Sequence, residues 1–452
     1  MRTGTAAATR LADVVGAEHL ILEPESLARY AVDGVTPAVA VRPGTAREVT
    51  EVVRLARSEK LATIPLGARK LTGIGMPPAR FDLALDLTRL GRVLAYDPGD
   101  LTLSVEVGLR IARLNETLAE KNQFLPLLTP FHSEVTIGGI LATNLSGPQR
   151  HAYGTARDFV LGLEFVTGAG ECAKSGGRVV KNVTGYDLHK LLIGSLGTLA
   201  VITVANFRTF PLPPAQTTLV AVFAERSRAL GLQEAIQRSP LAPHALEILS
   251  PAMAGLLDPD QRFLSARHWS LLAAAAGNQR VVERHASDLQ QMAEHARADS
   301  FRRLTREEEK TAWTSVREYP AVAAQASPAA TIVKMNTPPT RFGERLAQAM
   351  RIAEAHELPW AALVRAAGII YFLLLPGRKD EATLRSLEEA ARELMRVAVN
   401  GGSVVLEWCP AELKRGTNVW GSARGDLRLM RKLKAAFDPD NVLSPGRYLG
   451  GI

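Results

Sequence analysis

Residues that carry metal and redox chemistry are scarce in this sequence. Only two of its 452 residues are cysteine, Cys172 and Cys409, and no histidine follows His356. An iron–sulfur cluster is held by a set of cysteine thiolates that two cysteines do not supply. Neither zinc-type spacing of cysteine and histidine nor a paired-carboxylate motif occurs. We therefore predict no metal site in the chain.

Long hydrophobic runs are also missing. The longest candidate, residues 368–375, is as short as a β-strand, whereas a membrane-spanning helix needs roughly 20 apolar residues. The N-terminal residues lack the continuous apolar core of a secretory signal. We expect a cytoplasmic protein with no transmembrane segment, with peripheral attachment to the cytoplasmic face of the membrane as an alternative.

The charge balance excludes another class of protein. The formal net charge is +8, from 54 basic and 46 acidic residues, but the basic residues are scattered among acids rather than clustered in arms. This pattern indicates a solvated surface, and we predict no nucleic-acid partner. A mild attraction for an anionic substrate, an acidic partner subunit or a membrane surface stays open.

Two segments combine small residues with signals for strands and helices. Residues 135–154 read VTIGGILATNLSGPQRHAYG, and residues 66–71 form a loop after a predicted strand. Gly138 and Gly139 have no β-carbon, so the backbone there can approach a phosphate closely. The residues after them can open a helix whose free N–H groups point at that anion. Both segments therefore offer backbone N–H groups to a diphosphate without adding a desolvated counter-charge.

The order of these segments, together with KNVTGYDLHKLLIGSLGTLAVIT at 181–203 and Pro-Gly-Arg at 445–447, resembles a known family. It is similar to the flavin-binding half of the vanillyl-alcohol-oxidase, or PCMH-type, flavoproteins. Within that superfamily it resembles the FAD-binding accessory subunits of bacterial glycolate oxidases. The likeness covers residues 39–211 and the C-terminal end. The chain departs from the family at Ala68 and Arg69, where glycines are usual, and at Ser444, which replaces Asn.

The resemblance implies a bound FAD. Some relatives attach the flavin through a histidine in the first loop, but no histidine occurs between residues 21 and 131, so we predict non-covalent binding. His132 and His151 could face the flavin, although exposed loop positions explain them better. The two loops would flank the diphosphate, where Arg69 could itself reach a phosphate. By likeness, the residues around the cofactor are Leu66, Gly67, Ala68, Arg69, Lys70, Leu71, Thr136, Ile137, Gly138, Gly139, Thr143, Asn144, Gly147, Tyr153, Gly154 and Ile202.

A proline-rich run at residues 211–214 separates two parts of the chain that differ in their pattern of strands and helices, and we place a domain boundary there. We predict an α+β fold: a PCMH-type FAD-binding domain of two α+β subdomains (1–214), an α/β cap domain with a ferredoxin-like sheet (215–402) and a segment that returns to the FAD domain (403–452). The cap pattern suggests a sheet covered by helices on one face, as in two ferredoxin-like units. Gly168 and Gly170 fit a Rossmann fingerprint, but the polar residues after them favour a hairpin turn.

Oxidising a 2-hydroxy acid at a flavin needs a base for the hydroxyl proton and a cation for the carboxylate. Relatives that act on lactate or glycolate carry a histidine-rich motif late in the cap domain, but no histidine follows His356 in this chain. The base is therefore unassigned. Lys334, Arg365 and Tyr371 interrupt apolar strands of the cap and are candidates for a substrate site. Buried cations need partners, but exposure at a strand edge explains these residues equally well.

These observations predict an FAD-dependent oxidoreductase acting on CH–OH groups. We interpret the chain as the FAD-binding subunit of a glycolate oxidase-type complex that converts glycolate to glyoxylate. Electrons would pass to partners, namely a second flavoprotein subunit and an iron–sulfur subunit. The alternative is a freestanding FAD-linked oxidoreductase for another hydroxy acid, a sugar acid or an alcohol. A third hypothesis is a scaffold whose altered first loop no longer holds flavin.

Overall fold

Three main β-sheets and their helices build the protein. The computed structural model describes residues 5–178, 185–397, 402–422 and 425–452. Residues 181–184 of the second predicted flavin segment lie outside this range. The described part of the chain forms two α+β layers around one apolar core and a larger α+β unit with a core on each face of its sheet.

The first layer is a small sheet in the order β1-β2-β4-β3, in which β2, β4 and β3 run parallel. The hydroxyl of Thr45 accepts the Glu48 amide at 3.1 Å and caps the third helix, whose apolar face packs on the sheet. The elements are α1 (Thr5–Val15), β1 (Leu20–Ile21), α2 (Pro24–Ala28), β2 (Val39–Val41), α3 (Ala46–Ser58), β3 (Thr63–Leu66) and β4 (Leu83–Asp86).

The second layer is an antiparallel sheet in the order β5-β6-β10-β8-β9. Its β8–β9 pair closes over Gly168 and Gly170, where Gly170 has φ +78° and Val166 pairs with Cys172, so the predicted hairpin turn is confirmed. The elements are β5 (Val93–Asp97), β6 (Thr102–Glu106), α4 (Ile111–Ala119), β7 (Gln123–Phe124), α5 (Ile137–Thr143), α6 (Arg150–Tyr153), α7 (Ala156–Phe159), β8 (Val160–Thr167), β9 (Cys172–Gly176), α8 (Leu188–Leu192), β10 (Ala200–Arg208) and β11 (Phe210–Pro211).

The larger unit, here called the cap, contains an eight-stranded antiparallel sheet. Its strands are β12 (Ala215–Phe223), β13 (Ala245–Leu249), β14 (Trp269–Gly277), β15 (Ser300–Arg303), β16 (Thr331–Asn336), β17 (Trp360–Arg365), β18 (Ile369–Leu374) and β19 (Ser403–Trp408). Its helices are α9 (Arg226–Arg238), α10 (Pro251–Leu257), α11 (Gln279–His295), α12 (Arg306–Arg317), α13 (Tyr319–Ala326), α14 (Phe342–Ala355) and α15 (Glu381–Arg396).

The strand order β15-β12-β14-β13-β17-β18-β16-β19 contains two ferredoxin-like units. The first unit contains β12 to β15 and the second contains β16 to β19, and in each unit the last strand lies at the border with the first strand beside it. The two units meet where β13 pairs with β17. The predicted ferredoxin-like topology is therefore present twice. The expectation of helices on one face is wrong, because α10, α12 and α13 cover the face opposite α9, α11, α14 and α15.

The C-terminal end returns to the first layer. After α16 (Leu413–Gly416) and α17 (Leu427–Phe437), the Thr63 amide donates to the Val442 carbonyl at 2.7 Å and the Ser444 amide donates to the Thr63 carbonyl at 2.9 Å. The tail thus extends the sheet beside β3. The division at 214 and 402 stays a prediction, and β19, which it assigns to the returning segment, lies in the cap sheet.

Candidate functional site

A cleft opens between the loop that follows β3 and the helix α5, and we call it the β3–α5 cleft. Residues 195–197, which precede β10, and Arg447 of the returning tail complete its walls. Most of the predicted cofactor residues line it. They are Leu66, Gly67, Ala68, Arg69, Lys70, Leu71, Thr136, Gly138, Gly139, Thr143 and Ile202.

The loop after β3 presents free backbone donors to this cleft. Within the described part of the chain, the amides of Ala68, Arg69 and Lys70 have no hydrogen-bond acceptor. Arg69 has φ +63°, in the left-handed region, although glycine is the residue that takes this conformation without cost. Successive N–H groups around such a residue form a concave anion site. The loop therefore fits a diphosphate despite its two departures from the glycine pattern.

The two walls of the cleft approach each other closely at Gly67. A β-carbon at that position would lie 2.1 Å from the Thr136 hydroxyl oxygen, which is too close for any side chain. At Gly139 a β-carbon would make ordinary van der Waals contacts, with the same oxygen at 3.5 Å and with Leu71 Cδ1 at 3.8 Å. Of these two glycines, Gly67 is therefore the one that the close contact between the walls requires.

The backbone amides at the start of α5 already have hydrogen-bond acceptors within the protein, whereas we expected them to be free for an anion. Ile137 donates to the Leu109 carbonyl at 2.9 Å, and Gly138 donates to the Val107 carbonyl at 2.7 Å. The Gly139 amide donates to the Thr136 hydroxyl, which caps the helix. These bonds fix α5 against residues 107–109. The loop after β3, and not α5, therefore carries the free amides of the cleft.

Five predicted cofactor residues do not line the cleft. The Ile137 side chain is fully buried in the core, and Asn144 ends α5 in the left-handed conformation. A β-carbon at Gly147 would lie 1.6 Å from the Leu128 carbonyl oxygen, so the chains pack closely there. Tyr153 packs edge-on against the ring of Phe124, and Gly154 has φ +79° in the following turn. Packing and turn geometry account for all five positions.

The Arg69 side chain binds neighbouring residues of the protein and is not free to bind a phosphate. Its Nη1 donates to the Asp86 carboxylate at 3.2 Å, and its guanidinium lies 4.6 Å from the centre of the Tyr30 ring. Asp86 also accepts the Tyr30 hydroxyl at 2.8 Å. Burial and the Asp86 charge raise the pKa of Tyr30 to about 12. The backbone of Arg69, rather than its charge, faces the ligand space.

Arg447 is a functional candidate that sequence reasoning did not single out. Only 4% of the residue is exposed, and Nη2 donates to the carbonyls of Thr72 at 2.7 Å and Ile74 at 2.6 Å. Nη1 is buried and has no partner in the described structure. Burial lowers the pKa of Arg447 to about 10. The Pro-Gly-Arg ending was the signal available for this residue.

The three candidates for a substrate site, Lys334, Arg365 and Tyr371, come together in the cap. Side chains from five neighbouring strands form one line across the sheet, which we call the cap row: Glu247, Arg365, Tyr371, Lys334 and Glu407. Arg365 Nε donates to Glu247 at 2.6 Å, its Nη1 lies 3.3 Å from the Tyr371 hydroxyl, and Lys334 Nζ donates to Glu407 at 2.7 Å. Exposure at a strand edge is therefore not the explanation for these residues.

The cap row is anchored to the cleft side of the protein. Arg365 Nη1 also donates to the Ser146 carbonyl at 3.0 Å, just after α5, and Arg150 of α6 donates to the Ser146 hydroxyl at 3.4 Å. Arg150 lies within the field of Arg365 and Glu407, so the cap row taken together with Arg150 has three cations for two carboxylates and an excess of positive charge. The sequence analysis missed Arg150. The signal available for it was its position shortly before Tyr153 and Gly154, which were both predicted to lie near the cofactor.

Burial shapes the titration of the cap row. It raises the pKa of Glu247 to about 7, although the charge and hydrogen bond of Arg365 act in the opposite direction. One carboxylate oxygen of Glu247 has no partner among the described residues. Burial alone would lower the pKa of Lys334, but the charge of Glu407 raises it. Only 1% of the Arg365 side chain is exposed, against 14% for Lys334. Lys334 is thus the more accessible cation.

Neither loop histidine lines the β3–α5 cleft. The backbone amide of His132 donates to Glu318 of the cap at 3.2 Å, and burial lowers the pKa of this histidine to about 4. Burial likewise lowers the pKa of His151. Among the described residues no group of histidine, cysteine or acidic side chains could hold a metal ion, and no helix has the length and apolarity to cross a bilayer.

A two-layer domain whose loop after β3 has free amides, joined to a cap with a double ferredoxin-like sheet, is the architecture of a flavin-dependent oxidoreductase. A family model described as "FAD binding domain" matches residues 37–176, and one described as "FAD linked oxidases, C-terminal domain" matches residues 212–448. The chain belongs to the FAD-linked oxidases. The predicted resemblance and the interpretation as an FAD-dependent oxidoreductase are confirmed.

Individual relatives support the same family. Glycolate oxidase subunit GlcD of Bacillus subtilis (strain 168) is 26% identical over 91% of this chain and 88% of its own length. Glycolate oxidase subunit GlcE of Escherichia coli (strain K12) is 36% identical over 41% of this chain and 51% of its own length. A crystal structure of p-cresol methylhydroxylase with substrate bound aligns with TM-score 0.80 and 17% identity, covering 98% of this chain and 96% of the other. The predicted PCMH-type fold is confirmed.

Proposed function

We propose that the protein binds FAD non-covalently in the β3–α5 cleft and oxidises a small 2-hydroxy acid, glycolate being the substrate to test first. The free amides of Ala68, Arg69 and Lys70 are the observation that carries this proposal, because they fit the diphosphate of the cofactor. The names of the two glycolate oxidase relatives support the choice of substrate. Bound FAD supplies the acceptor for the hydride that leaves the substrate carbon.

The charge of the cap row supports the proposal that the substrate carries a carboxylate. The excess positive charge of the row taken together with Arg150 favours a monoanion, and Lys334 and Arg150 are the cations that keep some exposure. Arg365 is enclosed by Glu247, Tyr371 and the Ser146 carbonyl, so it positions the row rather than meeting the substrate. We propose that Lys334 and Arg150 bind the carboxylate while the enclosed pair keeps them in place.

The positions of the histidines support non-covalent binding. The first loop contains none, and His132 and His151 do not line the cleft. Acid precipitation tests this point, because a covalent flavin stays with the pellet whereas a non-covalent flavin is released. We expect a colourless pellet and a yellow supernatant.

The protein is proposed to work in a complex with a second flavoprotein subunit and an iron–sulfur subunit. Glycolate-dependent reduction of a dye is the test, first with the isolated chain and then after adding partner subunits co-purified from the native host. Turnover only in the mixture supports the complex, and turnover by the isolated chain supports the freestanding oxidoreductase. If the recombinant protein stays colourless after soaking in FAD, the cofactor assignment is wrong and the scaffold hypothesis stands.

The carboxylate role is tested by Lys334→Met and Arg150→Met. We expect each to raise the KM for glycolate by about ten- to a hundredfold, the value of one hydrogen bond between charged groups. Arg385→Met, on the exposed face of α15, is the matched control and leaves the KM unchanged. An unchanged KM in both cap variants would place the carboxylate elsewhere.

A further inference from the structure

The charge of Arg447 has no counter-ion in the described structure. Asp33 is the carboxylate whose field reaches it, but both Asp33 oxygens already accept Lys414 Nζ, at 2.9 and 3.0 Å. Nη2 of Arg447 meets only neutral carbonyls, those of Thr72 and Ile74. A buried guanidinium in this state is costly, because it has lost its hydration without gaining an opposite charge.

The other two cations of the β3–α5 cleft differ from Arg447 in this respect. Arg69 is paired with Asp86 at 3.2 Å, and Lys70 Nζ lies 2.8 Å from the Glu134 carboxylate. Arg447 lines the same cleft, and its buried Nη1 is left without a partner in the described structure. An anion that enters the cleft would therefore meet one uncompensated cation, and that cation is Arg447.

The position of Arg447 indicates which part of a dinucleotide it meets. Nη2 ties the guanidinium to residues 72 and 74, at the far end of the loop whose amides at 68–70 are free. Arg447 is thus tied to the loop that carries the free amides, and both line the β3–α5 cleft. Guanidinium groups and clustered amides both suit phosphate oxygens.

We infer that Arg447 binds the diphosphate of FAD through its free Nη1, and so completes an anion site that the 68–70 amides begin. This inference rests on the proposed binding of FAD. It assigns the C-terminal Pro-Gly-Arg to the cofactor, and it explains why the tail returns beside β3: the returning chain delivers a charge that the first domain lacks.

The test compares two flavins that differ in their phosphates. Affinities of FAD and riboflavin are measured by flavin fluorescence on the apo-protein, for the unmodified chain and for Arg447→Met. We expect the Kd of FAD to rise about ten- to a hundredfold in the variant, and the Kd of riboflavin, which has no phosphate, to stay the same. Arg447→Lys keeps the charge without the planar fork, and its FAD affinity should fall in between.

Three results would overturn the inference. An unchanged Kd for FAD would show that Nη1 makes no contact with the cofactor, and an equal loss for both flavins would place its effect on the ring or on folding. Failure of the unmodified chain to bind FAD would remove the proposed function as well. Arg431→Met, exposed on α17, is the control and should bind both flavins normally. If Arg447→Met does not fold, Arg447→Lys carries the same comparison.

Discussion

The β3–α5 cleft and the cap row both hold polar groups in protected places, but they treat charge differently. In the cap row every cation has a partner, such as Glu247 for Arg365 and Glu407 for Lys334. In the cleft, three amides and Arg447 Nη1 have no acceptor in the described structure. The ion pairs of the cap row stabilise the fold and hold Arg365 and Lys334 in position, whereas Arg150 beside the row has no carboxylate partner in the described structure. A region that leaves donors free is prepared for a ligand from outside.

The largest expected effect comes from breaking the balance of the cap row. Arg365→Met leaves Glu247 buried and unpaired, so the free energy of unfolding should fall by about 3–5 kcal/mol. The double variant Arg365→Met with Glu247→Leu should recover most of that loss, because no charge is then stranded. Urea unfolding measures both variants.

A surface pair serves as the control for this experiment. Arg385 and Glu381 form an exposed ion pair on α15, and Arg385→Met should change stability little. If Arg365→Met is as mild as this control, the cap row is not a buried balanced network and the contrast with the cleft fails.

The second-largest effect is expected from a variant that disturbs the close contact between the cleft walls. Gly67→Ala places a methyl group against the Thr136 hydroxyl, which caps α5, so the walls must separate. Overpacking of this kind costs about 1–3 kcal/mol, and we expect FAD affinity to drop about ten- to a hundredfold. Flavin titration of the apo-protein measures it.

Gly73→Ala is the matched control for Gly67→Ala. It lies near the same loop, and its added β-carbon would meet no atom within 4 Å. Its FAD affinity should equal that of the unmodified chain. Equal affinities for all three proteins would mean that the distance between the walls does not govern cofactor binding.

The smallest effect concerns His132, whose backbone amide donates to Glu318 of the cap. His132 is held neutral by burial, with a pKa of about 4 against an ordinary 6.5. The unfolded chain therefore binds a proton at higher pH than the folded chain, and stability from this group is present above pH 6.5 and lost as the pH falls through 4. We expect a loss of about 1–2 kcal/mol after allowance for solvent screening.

Replacing the imidazole isolates this contribution. His132→Gln should lose less stability than the unmodified chain when urea unfolding is repeated between about pH 7 and pH 4.5. His295→Gln, at an exposed position on α11, should follow the unmodified chain. A parallel pH dependence in all three proteins would show that His132 does not titrate with folding.

Much of this arrangement was predictable from the sequence because it depends on local pattern. The hairpin at Gly168 and Gly170, the double ferredoxin-like order and the loop at 66–71 all follow from turn residues and the alternation of strands and helices. The α5 amides were not predictable in the same way. Their acceptors, the carbonyls of Val107 and Leu109, come from a separate segment that only tertiary structure brings alongside.

Charge partners were the hardest to predict. Lys334, Arg365 and Tyr371 looked like isolated interruptions in apolar strands, and their meeting depends on pairing between strands far apart in sequence, such as β13 with β17. Arg447 was visible only as part of a closing motif. Its lack of a partner is a property of the folded environment, and no spacing in the sequence reports it.

The order of the cap strands also has a consequence for how molecules behave when crowded together. One border of the eight-stranded sheet is β15, a short strand whose Arg302 and Arg303 form ion pairs with Glu308 and Glu283. A short border strand with charged side chains discourages the addition of a foreign strand. The protein should therefore resist aggregation through this border even at high concentration.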